Sequence, residues 1–275
     1  YVLDAIHQMR QALPMGLFHP LIRISFACLH GDQGLIADGL AYMAIRYFDL
    51  YQTNRLSDNP TRNSADNHPS ISVENCWRQV HVDAHKINLR NTPKGGSLRI
   101  CEQFCAEPGI QTIAFSAGFS INVENLQLRI RQISLIALRL YLYEPALTTL
   151  HGVTACQALA DISQRVFADV EAHDHLVKLW QRYWIWLTGL YLEKGFPTRL
   201  PFIDPAVTDE INNSDWSSLA AIARKTPEVH MIKMVFSCQW LYDNIEANDF
   251  YKLAVIKILR ERNAHPRSSY GLSFD

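Results

Sequence analysis

The chain has 275 residues, with 26 Lys+Arg against 27 Asp+Glu, a formal net charge of -1, 48% hydrophobic residues and only 19% charged ones. That near-neutral balance lacks the basic excess of a nucleic-acid binder. Its 12 Phe, 11 Tyr and 6 Trp are too many aromatics for a disordered chain. The length suits one large domain or two small ones, and the low charge leaves apolar surface for lining a ligand cavity as well as a core.

Taken in chain order, the apolar positions from Leu17 to Tyr51 recur at helical spacing and predict two helices broken near Gly31-Asp32. Residues 53–69 are polar and carry two prolines, which predicts a surface loop. One or two helices are expected over 71–105, interrupted at Asn91–Gly96. The run 110–121 reads as a short strand or an irregular buried segment. Leu126, Ile130, Ile133, Ile136, Ala137 and Leu140 mark a strong helix over 123–143, which Glu144-Pro145 ends, and a second helix follows through Leu159. An aromatic helix is expected over 174–195, stopped by Gly195 and Pro197, with Asp174 as its cap. A loop over 197–216 and two closing helices over 216–245 and 247–263 complete the reading. The fold class is therefore mostly α: a multihelical single domain over 1–275, or two helical lobes, around a central cavity.

The most apolar stretches, 132–143 and 184–192, are too short to cross a bilayer, which takes about 20 residues. The first residues lack a basic stretch followed by an apolar one, so no signal peptide is expected. The six cysteines fall mostly within apolar helical patterns, as reduced thiols would, so a cytoplasmic location is expected. The first residue is Tyr1 rather than Met, so the sequence is expected to begin inside a longer chain.

Eleven histidines are the main chemical signal. His19 lies in Phe18-His19-Pro20, with Pro20 expected at the first helical position. Arg23, Phe26 and His30 follow it at steps of four, seven and eleven, along one helical face. His151 lies near an expected helix start, and Gly152 beside it permits close approach to the ring by a helix or a ligand. His230 and Lys233 are three apart on one face, in an apolar setting that favours a neutral lysine. A neutral lysine can take up carbon dioxide to become a carbamate, an oxygen ligand for metals. The Trp180, Trp184, Trp186, Tyr183 and Tyr191 group suits core packing or the wall of a flat, apolar site. A competing constellation is His81-x3-His85 with Cys101-x3-Cys105, two pairs that suit a four-coordinate structural zinc. No Gly-x-Ser-x-Gly elbow, phosphate-cradling loop or dinucleotide fingerprint is present.

Three of these segments together resemble the questin oxidase-like family. They are Phe18-His19-Pro20-Leu21-Ile22-Arg23 with Ile36-Ala37-Asp38-Gly39-Leu40-Ala41, then Thr149-Leu150-His151-Gly152-Val153-Thr154-Ala155, and then Val229-His230-Met231-Ile232-Lys233. They occur in the family's order and span about residues 17–240. The resemblance implies a mostly helical oxidoreductase that oxygenates aromatic polyketides, by Baeyer–Villiger-type or ring-cleaving chemistry with dioxygen. It implies a non-haem iron held by His19, His151 and His230, with Lys233 as a further ligand once carbamylated. Iron is expected over zinc because dioxygen chemistry needs a redox metal with open positions. NADPH is a candidate reductant on which the sequence is silent.

Many members carry a second histidine four residues after the first. Here that position is Arg23, which cannot deprotonate to bind a metal and could instead receive an anionic substrate or a reduced-oxygen species. Members also tend to carry a His-containing N-terminal segment that these residues lack. Arg23 and Lys233 are accordingly the expected catalytic residues, and Phe26, Thr154 and Trp184 the expected substrate contacts. The partners are a small aromatic molecule and dioxygen, with neither nucleic acid nor membrane. The alternatives are a helical binding protein for a flat apolar ligand and a zinc-stabilised structural protein.

Overall fold

The computed structural model describes residues 1–47, 71–86, 113–115, 118–195, 208–226 and 228–264, and within them the protein is an all-α single domain with no strand. Its helices are α1 (Val2–Gln8), α2 (His19–His30), α3 (Gln33–Ile45), α4 (Val73–Lys86), α5 (Leu126–Tyr143), α6 (Leu147–Val166), α7 (His173–Glu193), α8 (Thr208–Asn213), α9 (Trp216–Arg224), α10 (Val229–Asn244) and α11 (Asp249–Ala264).

The centre of the fold is α6, which packs against α2, α5, α7 and α10. Every residue from Thr149 to Ser163 is buried, so this helix has no solvent face. Its sequence explains how neighbours crowd it from all sides: Gly152, Ala155, Ala158 and Ala160 let helix axes approach closely. Its N-terminus is fixed by Thr149, whose hydroxyl accepts from the Ala146 amide at 3.0 Å and donates to the Glu144 carbonyl at 2.8 Å.

Helix α2 ends as its sequence directs. Gly31 takes a left-handed conformation at φ 68°, and the Asp32 carboxylate accepts from the Leu35 amide to start α3. Helix α3 then lies so close to α2 that a Cβ at Gly39 would stand 2.5 Å from Ile24 Cγ1.

Several expectations shift. Pro20 is the second residue of α2, because His19 itself opens the helix. Ala172, not Asp174, is the N-cap of α7. The segment expected as one helix over 216–245 is two, α9 ending at Arg224 and α10 opening at Val229. Helix α1 and the short helix α8 had no counterpart in the sequence reading. Residues 53–69, 91–105 and 197–207 lie outside the described residues. Cys28, Cys76, Cys156 and Cys238 are free thiols. No helix among the described residues is long and apolar enough to cross a membrane.

Candidate metal centre

A backbone turn of unusual conformation introduces the first candidate ligand. Gly16, Leu17 and Phe18 have φ values of 62°, 52° and 60°, three consecutive left-handed residues of which only one is glycine. Each non-glycine residue in that region costs about 1–2 kcal/mol. Phe18 supplies the compensation: it is fully buried, edge-on to Trp186 at 4.6 Å and to Tyr183 at 5.8 Å. The turn aims the Gly16 carbonyl at His19 Nδ1, 2.7 Å away. His151, on the first turns of α6, makes the equivalent bond from Nδ1 to the Leu147 carbonyl at 2.8 Å.

A carbonyl oxygen can only accept, so both Nδ1 atoms carry the proton and both Nε2 atoms present a lone pair. These two Nε2 atoms face each other at 3.1 Å. Two lone pairs at that distance repel unless a proton or a cation lies between them. His230, second in α10, brings its ring to 5.4 Å from that of His151. The ligating atoms of the three imidazoles all lie within 4.8 Å of one another, the one such group of metal-ligating side chains among the described residues.

The electrostatics disfavour a proton in that gap. Burial pushes His151 down to about 3, with His19, His230 and Lys233 adding repulsion. Burial also lowers His19 and His230, and Lys233 acts on both in the same direction. Lys233 is itself lowered, first by burial and then by the charge of Arg23. Neutral imidazole is the metal-binding form. Opposed lone pairs held in fixed tautomers by backbone carbonyls therefore fit a metal ion, and imidazole suits iron, zinc, copper and nickel alike.

The structure brings His19, His151 and His230 together with Lys233 near them. Arg23 is exposed on α2, one turn beyond His19, with its guanidinium over the Tyr42 ring at 5.5 Å. Phe26, a further turn along, meets Phe236 of α10 at 4.9 Å, whereas His30 is exposed at the end of the helix.

Two expected substrate contacts are core residues instead. Trp184 is fully buried between Trp77 and Phe119, and its Nε1 donates to the Ala114 carbonyl at 2.6 Å. Thr154 is 1% exposed, and its hydroxyl turns back to the His151 carbonyl. Gly152 admits α7, not a ligand: the nearest atoms to its position belong to Trp186, Leu187 and Leu190. Away from the histidines, a cavity of about 420 Å³ lies at the far end of α6, beside Arg131, Gln164, Phe167 and Asn244. The rival zinc pairing includes Cys101 and Cys105, which lie outside the described residues.

The sequence reading missed two features here. Nothing in residue spacing announces the left-handed turn, and Phe236, three residues past Lys233, counts in the sequence only as part of the apolar setting of that lysine.

Fold and geometry together define an all-α protein with a histidine-centred candidate metal site. The chain belongs to the questin oxidase-like family, whose model matches residues 1–238, and it is accordingly an oxidoreductase acting on a small molecule. No curated protein and no solved structure matched it.

Proposed function

We propose that the protein is a metal-dependent oxygenase of an aromatic polyketide-like substrate, with His19, His151 and His230 as metal ligands. The observation that carries this reading is the pair of Nε2 atoms opposed at 3.1 Å, each tautomer set by a backbone carbonyl. Family membership supplies the oxidoreductase class. Iron is the metal of choice because, when bound, it supplies redox chemistry toward dioxygen that zinc cannot.

The remaining residues have separable tasks. Lys233 is half-buried and biased toward the neutral amine. That amine can add carbon dioxide, releasing a proton to give a carbamate oxygen as a fourth ligand. Phe26 and Phe236, about two turns along their helices from the histidines, offer apolar rings on which a flat substrate can rest. Thr154 and Tyr183 hold α6 in place: Tyr183 donates to the Gly152 carbonyl at 2.6 Å, next to His151.

Elemental analysis of purified protein tests the reading. Iron near one equivalent, lost in His230→Ala, supports it. Protein that gains no metal when supplied with iron refutes it and leaves the ligand-binding alternative. Oxygen uptake with an anthraquinone substrate, with and without NADPH, then tells whether an external reductant is needed.

A further inference from the structure

Two helices line the approach to the histidines with matching patterns. On α2 the order is His19, Arg23, Phe26, at steps of four and seven. On α10 it is His230, Lys233, Phe236, at steps of three and six. The histidines meet at one end, within 4.8 Å, and the phenylalanines meet at the other, at 4.9 Å. Both helices pack on α6, and the two side-chain meetings make them run in the same direction over this stretch. At about 1.5 Å rise per residue, Phe26 lies about 10 Å beyond His19 and Phe236 about 9 Å beyond His230. Arg23 and Lys233 fall between these two contacts, on facing helices at nearly the same level.

At this level the charge of Arg23 has no matching carboxylate among the described residues. Among the described residues Arg23 has no ion pair and no hydrogen bond; its recorded contact is the face of Tyr42. A cation–π contact with an aromatic ring leaves the N–H donors of a guanidinium available to an anion. The neighbouring acid, Glu228, acts on His230. An arginine beside a ring and without a carboxylate partner among the described residues, one turn from candidate metal ligands and one turn from an aromatic pair, has N–H donors to offer an anionic oxygen group.

We propose that Arg23 recognises a carboxylate or ionised phenol on a flat aromatic substrate whose ring lies against Phe26 and Phe236. This rests on the reading that an aromatic substrate comes to the histidine site, and it names the substrate class within that reading: planar, apolar and acidic at one edge. Arg23 thereby sets the direction in which the ring enters, with its acidic edge held away from the Phe pair.

Equilibrium dialysis with two pairs of probes tests this. Anthraquinone-2-carboxylate is compared with its methyl ester, and 2-hydroxyanthraquinone, above the pH at which it ionises, with 2-methoxyanthraquinone. The acidic member of at least one pair is expected to bind about tenfold more tightly or better, and which pair shows it identifies the anionic group. Arg23→Gln should bring that ratio to about one while the neutral probe keeps its affinity, and Arg23→Lys should retain part of the preference. A ratio near one in the unaltered protein, or a ratio that survives Arg23→Gln, overturns the proposal. So does an Arg23→Gln variant that loses metal but keeps the ratio, since Arg23 would then serve a carbamylated Lys233 and not the substrate. Metal content measured on every sample separates this proposal from the one beneath it, because the probe ratio reads Arg23 whether or not the histidines hold an ion.

Discussion

The two ends of α6's neighbourhood spend their aromatic and polar residues differently. Where α7 meets α6 and α4, Trp77, Trp180, Tyr183, Trp184 and Tyr191 are buried, and the indoles of Trp77, Trp180 and Trp184 donate to Thr188, Ser163 and Ala114. Where α6 meets α2 and α10, His19, His230, Lys233, Phe26 and Phe236 are only partly buried, two Nε2 lone pairs confront each other, and Arg23 has no counter-ion among the described residues. The first region is closed, and of its indoles Trp186 alone, among the described residues, has a buried N–H with no acceptor. The second holds binding capacity that the fold itself does not use, and that contrast locates function more reliably than the count of aromatics does.

Substitutions in each region should separate the two. The largest effect is expected at the histidines: His230→Ala should lower metal affinity about a hundredfold with little loss of thermal stability, measured by elemental analysis and by melting. Trp184→Ala should do the reverse, costing about 3–5 kcal/mol in denaturant unfolding while metal bound per folded molecule stays constant. A Trp184 variant that loses metal in proportion to ligand loss, without melting earlier, would erase the distinction between the regions. Gly39→Ala should cost about 1–3 kcal/mol, because its Cβ would have to push Ile24 and α2 aside. Helix α2 carries His19, so this variant should also loosen metal binding slightly.

The smallest effect is a pH dependence outside both regions. His7 of α1 stacks on His175 of α7 with ring centroids 3.8 Å apart. Burial, reinforced by His175, Arg10 and Lys178, pushes His7 down to about 4. Its folded value lies below the unfolded value of about 6.5, so the unfolded chain takes up the proton first. The stability this contributes is present above 6.5 and lost as pH falls toward 4. Melting temperature should therefore decline over that window, and His7→Phe, which keeps a ring for the stack, should make the decline shallower.

Much of the fold was legible because local rules decided it. The break between α2 and α3 follows from Gly31 and Asp32, and the apolar period of 126–143 gives α5 within a few residues. The histidine triad was legible in part: resemblance named the three residues, and helical spacing placed Arg23 and Phe26 on the face of His19. Two kinds of information were not local. Aromatic periodicity is the same for a ring in a core and a ring at a ligand, so Trp184 was expected at the substrate when its indole N–H belongs to Ala114. The opposition of two lone pairs depends on which backbone carbonyl each imidazole meets, and for His19 that carbonyl lies across a turn that no propensity favours.

That turn makes the site conditional on the core. Residues 16–18 would not hold three left-handed conformations by local preference, so His19 stays in place only while Phe18 is seated against Tyr183 and Trp186. A chain whose interior has not packed lacks the arrangement that confronts His19 with His151, and so should not grip a redox-active ion in a half-made pocket open to water. The quality of the interior thus acts as a licence for the proposed chemistry: Phe18→Ala, which removes no candidate ligand, should lower metal uptake as well as stability.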